Sequence, residues 1–287
     1  MPNIRVIRRR IRSVQNTAKV TRAMEMIAAS KMRRSQQRLL AGRPYAEMMR
    51  EVLGHLAAQI GDTGDEVHPL LRRREVKRIE VIHIAPDRGL CGGLNSNLNR
   101  AAGRFILDQG APVSVVAVGK KARDFMVRSA RDVRAVFTDL GDRPSLMDSL
   151  SISHLVIQDY ASGYADEVYV VYGRFVSTVI QRPFIQKLLP VEPAHLESSL
   201  VGGYIYEPNT TEVLGSLLPR FVEMQIYHAL LEAIGSEQSA RMVAMRNATD
   251  SANEMIQDLT LLMNKVRQEA ITKELLDIVG GAMALEG

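Results

Sequence analysis

The sequence predicts an α/β protein in which long N- and C-terminal helices pair as an antiparallel coiled coil around a central α/β domain. Three observations carry that expectation. Helical apolar periodicity is sustained at both ends of the 287-residue chain, strand and helix signals alternate between them, and charge is split between the ends. Residues 1–50 hold 13 Lys/Arg against Glu25 and Glu47, whereas residues 201–287 hold 6 Lys/Arg against 12 acids. A basic head and an acidic tail suit each other as partners.

The first helix is expected over 1–58. Ile4, Ile7, Ile11, Val14, Ala18 and Thr21 step by three and four, as a coiled-coil seam does, and Asn3 is placed to cap the start. Glu25 interrupts that line, so the seam is expected to shift to Val20, Met24, Ile27 and Ala28. Gly42, Pro44 and Gly54 are the internal breakers, and Pro44, which removes a hydrogen bond, is expected to kink the helix. Residues 59–75 read as a linker.

A Rossmann-like domain is expected over 76–190. Val76–Ala85 reads as a strand, and the turn DRGLCGGLNSN leads into a helix to about Gln109. Pro112–Val118 reads as a buried strand, Lys120–Ala130 as a helix and Val133–Phe137 as a strand. Ser145–Ala161 is amphipathic, and Val168–Val171 and Phe175–Leu189 read as strands that form a hairpin. Residues 190–209 form a Pro/Gly/Ser loop. The last helix is expected over 211–287, with Leu214, Leu217, Phe221, Met224, His228 and Leu231 in its first part and Ala252, Ile256, Leu259, Met263, Val266 and Ala270 later. Two such helices exceed what an α/β domain of this size can cover, so they are expected to cover each other.

Composition excludes several function classes. Trp is absent and aromatics are 5%, which argues against aromatic stacking sites for sugars or bases. The single cysteine, Cys91, rules out an internal disulfide and a dithiol switch, and it reads as a buried, inert thiol in a protein of a reducing compartment. No run approaches the roughly 20 apolar residues that span a bilayer, and no secretory signal is expected. There is no P-loop, because Gly119-Lys120-Lys121 has the wrong spacing and lacks a following Ser or Thr. The six histidines show no metal-ligand spacing, and His83 reads as a core residue. The arginines of the first helix flank an apolar seam, which reads as a solvated coiled-coil flank rather than a nucleic-acid grip. Neither a catalytic residue nor a cofactor or metal ligand emerges. Near the C-terminus Ile271, Leu275, Leu276, Ile278, Val279, Ala282, Met283 and Leu285 cover more than one stripe, so an outside sleeve is expected around the tip.

Three segments carry a resemblance: SVQNTAKVTRAMEMIAASKM, DRGLCGGLNSN, and SEQSARMVAMRNATDSA with NKVRQEAITKEL. With the helix–α/β–helix layout, the whole chain resembles the gamma subunits of F-type ATP synthases, in a bacterial form without the two-cysteine redox insertion of chloroplast relatives. The resemblance implies a central rotor shaft, present once per complex, that couples proton or sodium flow to ATP synthesis or hydrolysis on a hexamer of alpha and beta subunits. It implies a non-catalytic subunit without cofactors, with alpha, beta and epsilon subunits and the c ring as partners and no nucleic acid. The expected place is the cytoplasmic side of the inner membrane, reached only through the c ring. By resemblance Arg267 and Gln268 grip an acidic loop of a beta subunit, Met24 and Arg241 lie where the helices meet near that loop, and Tyr204, Tyr206 and Glu207 face the c ring and epsilon. The alternative is a stand-alone nucleotide- or phosphate-binding α/β protein.

Overall fold

In a computed structural model of the chain, residues 3–60, 68–192, 206–207 and 209–286 are described, with side chains except at 57–60 and 282–286. Two compact units result. One comprises 1–27 and 242–287, the other 28–241.

Helix α1 (Ile4–Ile60) and helix α5 (Thr210–Glu286) are the long elements, of 57 and 77 residues, or about 85 Å and 115 Å at 1.5 Å per residue. The Asn3 side chain accepts from Arg5 N–H at 2.9 Å, the expected cap. Helix α1 continues through Pro44 as one element, and it ends at Ile60, beyond the expected start of the linker.

In the first unit the two helices lie antiparallel. Ile7, Ile11 and Val266 form the buried seam, with Ile4, Ile256, Leu259 and Met263 packed on it. Further along, the Thr21 and Thr249 hydroxyls hydrogen-bond at 2.7 Å in a buried setting, with Thr249 also bonded to the Met245 carbonyl.

The second unit is built on a five-stranded sheet, order β3-β2-β1-β4-β5. Its strands are β1 (Ile79–Ile84), β2 (Val113–Val118), β3 (Asp132–Phe137), β4 (Glu167–Phe175) and β5 (Gln181–Leu189). Strands β1 to β4 pair in parallel, and β4–β5 is the expected antiparallel hairpin. Between them come α2 (Leu94–Leu107), α3 (Lys120–Arg128) and α4 (Leu146–Ala161). The boundaries differ from expectation where side chains leave the core. β1 starts three residues late, at Ile79, and the predicted strand from Phe175 is split, because 176–180 form the hairpin turn.

Strand β1 is buried at all six positions, as a central parallel strand must be. On one face Ile79, Val81, Val115 and Val171 meet Ala102 and Ile106 of α2 and Met126 of α3. On the other, Ile82, Ile84, Val116, Val168 and Val170 meet Ile152, Val156 and Tyr160 of α4. That same core takes in Met49 and Leu53 of α1 and Leu214, Leu218, Val222, Ile226 and Leu230 of α5. The α/β layer therefore covers the first half of α5 as well as its own sheet, more of the terminal helices than the sequence suggests. Within this unit too the long helices run antiparallel: Ser35 Oγ donates to the Leu231 carbonyl at 2.8 Å.

The seam shift expected at Glu25 does not occur. Val20, Met24 and Ile27 are 57%, 36% and 55% exposed. The buried line runs straight from Ala18 and Thr21 to Ala28, Met32 and Ser35, spacings that place half-buried Glu25 within it. Glu25 keeps that seam position with its Oε2 buried, 3.8 Å from the Arg22 guanidinium one turn earlier.

Candidate functional site

In an open parallel sheet the ordinary ligand site is the crevice beyond the strand C-termini where strand order reverses. Here that point lies between β1 and β4, since β2 and β3 continue on one side of β1 and β4 and β5 on the other. Helix α5 fills it. Ser236 Oγ donates to the Gly173 carbonyl at the end of β4 at 2.7 Å. Arg241 Nη2 donates to the Gly89 carbonyl in the DRGLCGG loop at 3.2 Å. A Cβ on Gly173 would stand 3.3 Å from Ser236 Cβ, so backbone and helix are already in contact. Ser239 Oγ donates to the Thr178 carbonyl at 2.7 Å, tying the hairpin turn to the same helix.

The glycine-rich loop is likewise committed to structure. Asp87 accepts from Lys120 N–H at 2.9 Å, at the α3 N-terminus, and from Asp139 N–H at 3.1 Å. A carboxylate of the protein thus holds the position where an anion would sit. Gly119, at φ +92°, is required there, since a Cβ would lie 1.8 Å from the Ala85 carbonyl oxygen. Cys91 is buried; burial and the nearby Glu237 push its thiol upward, so the inert reading fits. His83 is fully buried, bonded to Asn99 at 2.9 Å, and burial lowers its pKa.

Of the residues expected from the resemblance, Arg241 is held at 2.7 Å by Glu237 one turn earlier and by the Gly89 carbonyl. Burial raises Glu237, which Arg241 partly offsets. Met24 is 36% exposed on α1. Arg267 and Gln268 are exposed on α5. Among the described residues neither side chain makes a hydrogen bond or an ion pair within the chain. Tyr206 is half-buried against the main core, Glu207 is exposed, and Tyr204 lies outside the described residues. Met24, Arg267 and Gln268 are exposed points on the long helices, Arg241 is partly buried against Glu237 and the Gly89 loop, and Tyr206 and Glu207 lie just before α5. Exposed points of this kind suit contact with other proteins better than chemistry on a small molecule.

The C-terminal tip behaves the same way. From Arg267 to Gly281 every residue of α5 is exposed, including Ile271, Leu275, Leu276, Ile278 and Val279 at 51% to 66%. Apolar exposure of this extent marks an interaction surface. No described helix is long and apolar enough to cross a membrane, and no group of three His, Cys, Asp or Glu among the described residues could hold a metal ion.

A family model described as ATP synthase matches residues 3–285. An ATP synthase gamma chain of Dehalococcoides mccartyi is 59% identical, covering 99% of this chain and all of that one. The chain belongs to the ATP synthase gamma chain family. A gamma chain of Roseiflexus castenholzii is 54% identical over 99% of both chains. Among solved structures, the central stalk and c-ring structure of the Tetrahymena thermophila mitochondrial ATP synthase matches with a TM-score of 0.61 and 25% identity, over 80% of this chain and 99% of that one. An OSCP/F1/c-ring structure of the Euglena gracilis enzyme matches with a TM-score of 0.67 and 21% identity, over 98% and 94%, and shares the fold. Sequence reasoning missed the residues that close the crevice of this gamma chain. Ser236, Gly173 and Asp87 carry no local signal; only the strand order, which sequence does not print, makes them neighbours.

Proposed function

We propose that this gamma chain is the central rotor shaft of an F-type ATP synthase, transmitting rotation between a c ring and a hexamer of alpha and beta subunits without reacting chemically itself. The observation that carries this reading is the exposed stretch of α5 from Arg267 to Gly281, with Ile271, Leu275, Leu276, Ile278 and Val279 open to solvent beyond the seam that α1 supplies, in a chain whose switch-point crevice is filled by its own helix. A sleeve of partner subunits around that tip makes non-directional contacts that slide without breaking hydrogen bonds. Three identical catalytic sites can differ in occupancy only if something unequal stands among them, and a turning shaft biases each site's open–closed balance in turn.

Directional grip is assigned to Arg267 and Gln268. Both are exposed, and a free guanidinium can form a charge-assisted, bidentate pair with a carboxylate of a beta-subunit loop. Met24 and Arg241 are assigned to the same neighbourhood. Arg241 acts there through the Gly89 loop that it braces. Tyr204, Tyr206 and Glu207 are assigned to the face toward the c ring and epsilon. The subunit is single-copy, non-catalytic and peripheral, on the cytoplasmic side of a bacterial membrane, and meets the membrane through the c ring.

Reconstitution with alpha and beta subunits tests the reading. The expected result is ATP hydrolysis raised well above that of the hexamer alone, and an unchanged rate contradicts it. Calorimetry of the isolated chain with ATP, ADP and NAD separates this from the stand-alone binder: no heat of binding is expected, and micromolar affinity would favour the other reading.

A further inference from the structure

Beside the core of the α/β unit, two carboxylates share one cation. Glu80 in β1 is fully buried, and Asp159 in α4 is 5% exposed. Arg134 of β3 grips Asp159 with both donors, Nε to Oδ2 at 3.0 Å and Nη2 to Oδ1 at 3.1 Å. That pair satisfies Asp159 and leaves Glu80 without a cation of its own. Neither Glu80 oxygen receives a hydrogen bond from a fixed donor, and its hydrogen-bonding neighbour is the Asp159 carboxylate. The remaining surroundings offer little relief. Across on β2 the register partner is Ser114, whose hydroxyl is buried and unbonded, and on β4 it is apolar Val168. The Arg134 guanidinium also lies 4.6 Å over the Tyr164 ring, which Arg78 approaches at the same distance.

A fully buried, uncompensated second carboxylate is too costly to keep ionised beside a first. We propose that Glu80 and Asp159 hold one proton between them in the native protein, forming a pH-sensitive latch between β1 and α4. With the proton present, the Glu80 carboxyl O–H donates to Asp159 and joins sheet to helix. Once it leaves for solvent, two anions face each other across that contact.

The direction of the linkage follows. Burial first, and Asp159 second, push the Glu80 pKa up to about 8, against an ordinary 4.5. The folded state therefore keeps a proton that the unfolded chain gives up, and stability falls as pH rises from about 4.5 to about 8, levelling above that.

Glu80→Gln keeps a donor toward Asp159 and removes the titration. Urea unfolding of the full chain between pH 5 and 8 is the measurement. The folding equilibrium constant of the wild type is expected to fall relative to Glu80→Gln by about tenfold per pH unit, the linkage of one proton. Parallel pH profiles for the two proteins would overturn the latch. Infrared difference spectra, wild type minus variant at pH 7, give an independent reading. The carbonyl stretch of a protonated carboxyl is expected in the wild type and fades toward pH 9, and its absence at pH 7 would overturn the proposal. Should Glu80→Gln not fold, Glu80→Leu removes the same carboxyl from an apolar setting and serves for both measurements.

Discussion

Gly119 shows at the scale of one residue how the unit is held. Its positive φ lets the end of β2 pass the Ala85 carbonyl on the way into α3, where Asp87 takes the helix N-terminus. Gly119→Ala is expected to destabilise by at least about 3 kcal/mol, combining left-handed strain with a steric overlap that only backbone movement relieves; urea unfolding of the variant checks it, and a loss under about 1 kcal/mol would refute the constraint. Cys91 makes a second point. It is 1% exposed with a thiol held upward by burial, so maleimide labelling of the native chain at pH 7 should be slower by orders of magnitude than labelling of a cysteine placed at Leu107, which is 67% exposed. Equal rates would show the loop open. Cys91 was legible as a buried thiol and His83 as a core residue, because each sits in an apolar local pattern without the neighbours a site would need.

At the scale of elements, the seam of α1 was half legible. Ile7, Ile11, Ala18 and Thr21 are buried as their spacing requires. Past them the apolar rule misleads, since Val20, Met24 and Ile27 match in chemistry while Thr21, Ala28 and Ser35 match in phase. Phase decides, because a helix cannot rotate its face within two turns without breaking its packing. The parallel sheet and the antiparallel hairpin followed from alternation and short connection, whereas the strand order did not. The filling of the switch point did not, since it depends on where α5, far along the chain, crosses the sheet. The tip of α5 offers the test at this scale. Replacing Leu275, Leu276, Ile278 and Val279 by Ser should alter the stability of the isolated chain by no more than about 0.5 kcal/mol per site, because these side chains are exposed. The same variant should assemble poorly with alpha and beta subunits. Normal assembly would mean the tip has no apolar sleeve.

Across the whole molecule, holding and pulling fall to different groups. Long apolar seams and the core of the α/β unit keep the chain folded, and a few exposed polar groups transmit force. Arg267→Ala with Gln268→Ala should leave the circular dichroism and melting of the isolated chain unchanged, while ATP synthesis by membranes carrying the variant falls several-fold. Unaltered synthesis would reject the grip. That assignment came from resemblance alone: exposure says that the two residues are available, and neither periodicity nor charge singles them out on a helix with this many exposed polar positions. As a rotor shaft, this polypeptide turns inside its partners. A bead fixed to a cysteine introduced at Leu107, in a surface-tethered complex with alpha and beta subunits, measures it directly. Stepwise rotation in a single direction while ATP is consumed is the predicted result, and steady hydrolysis with a stationary bead would contradict it.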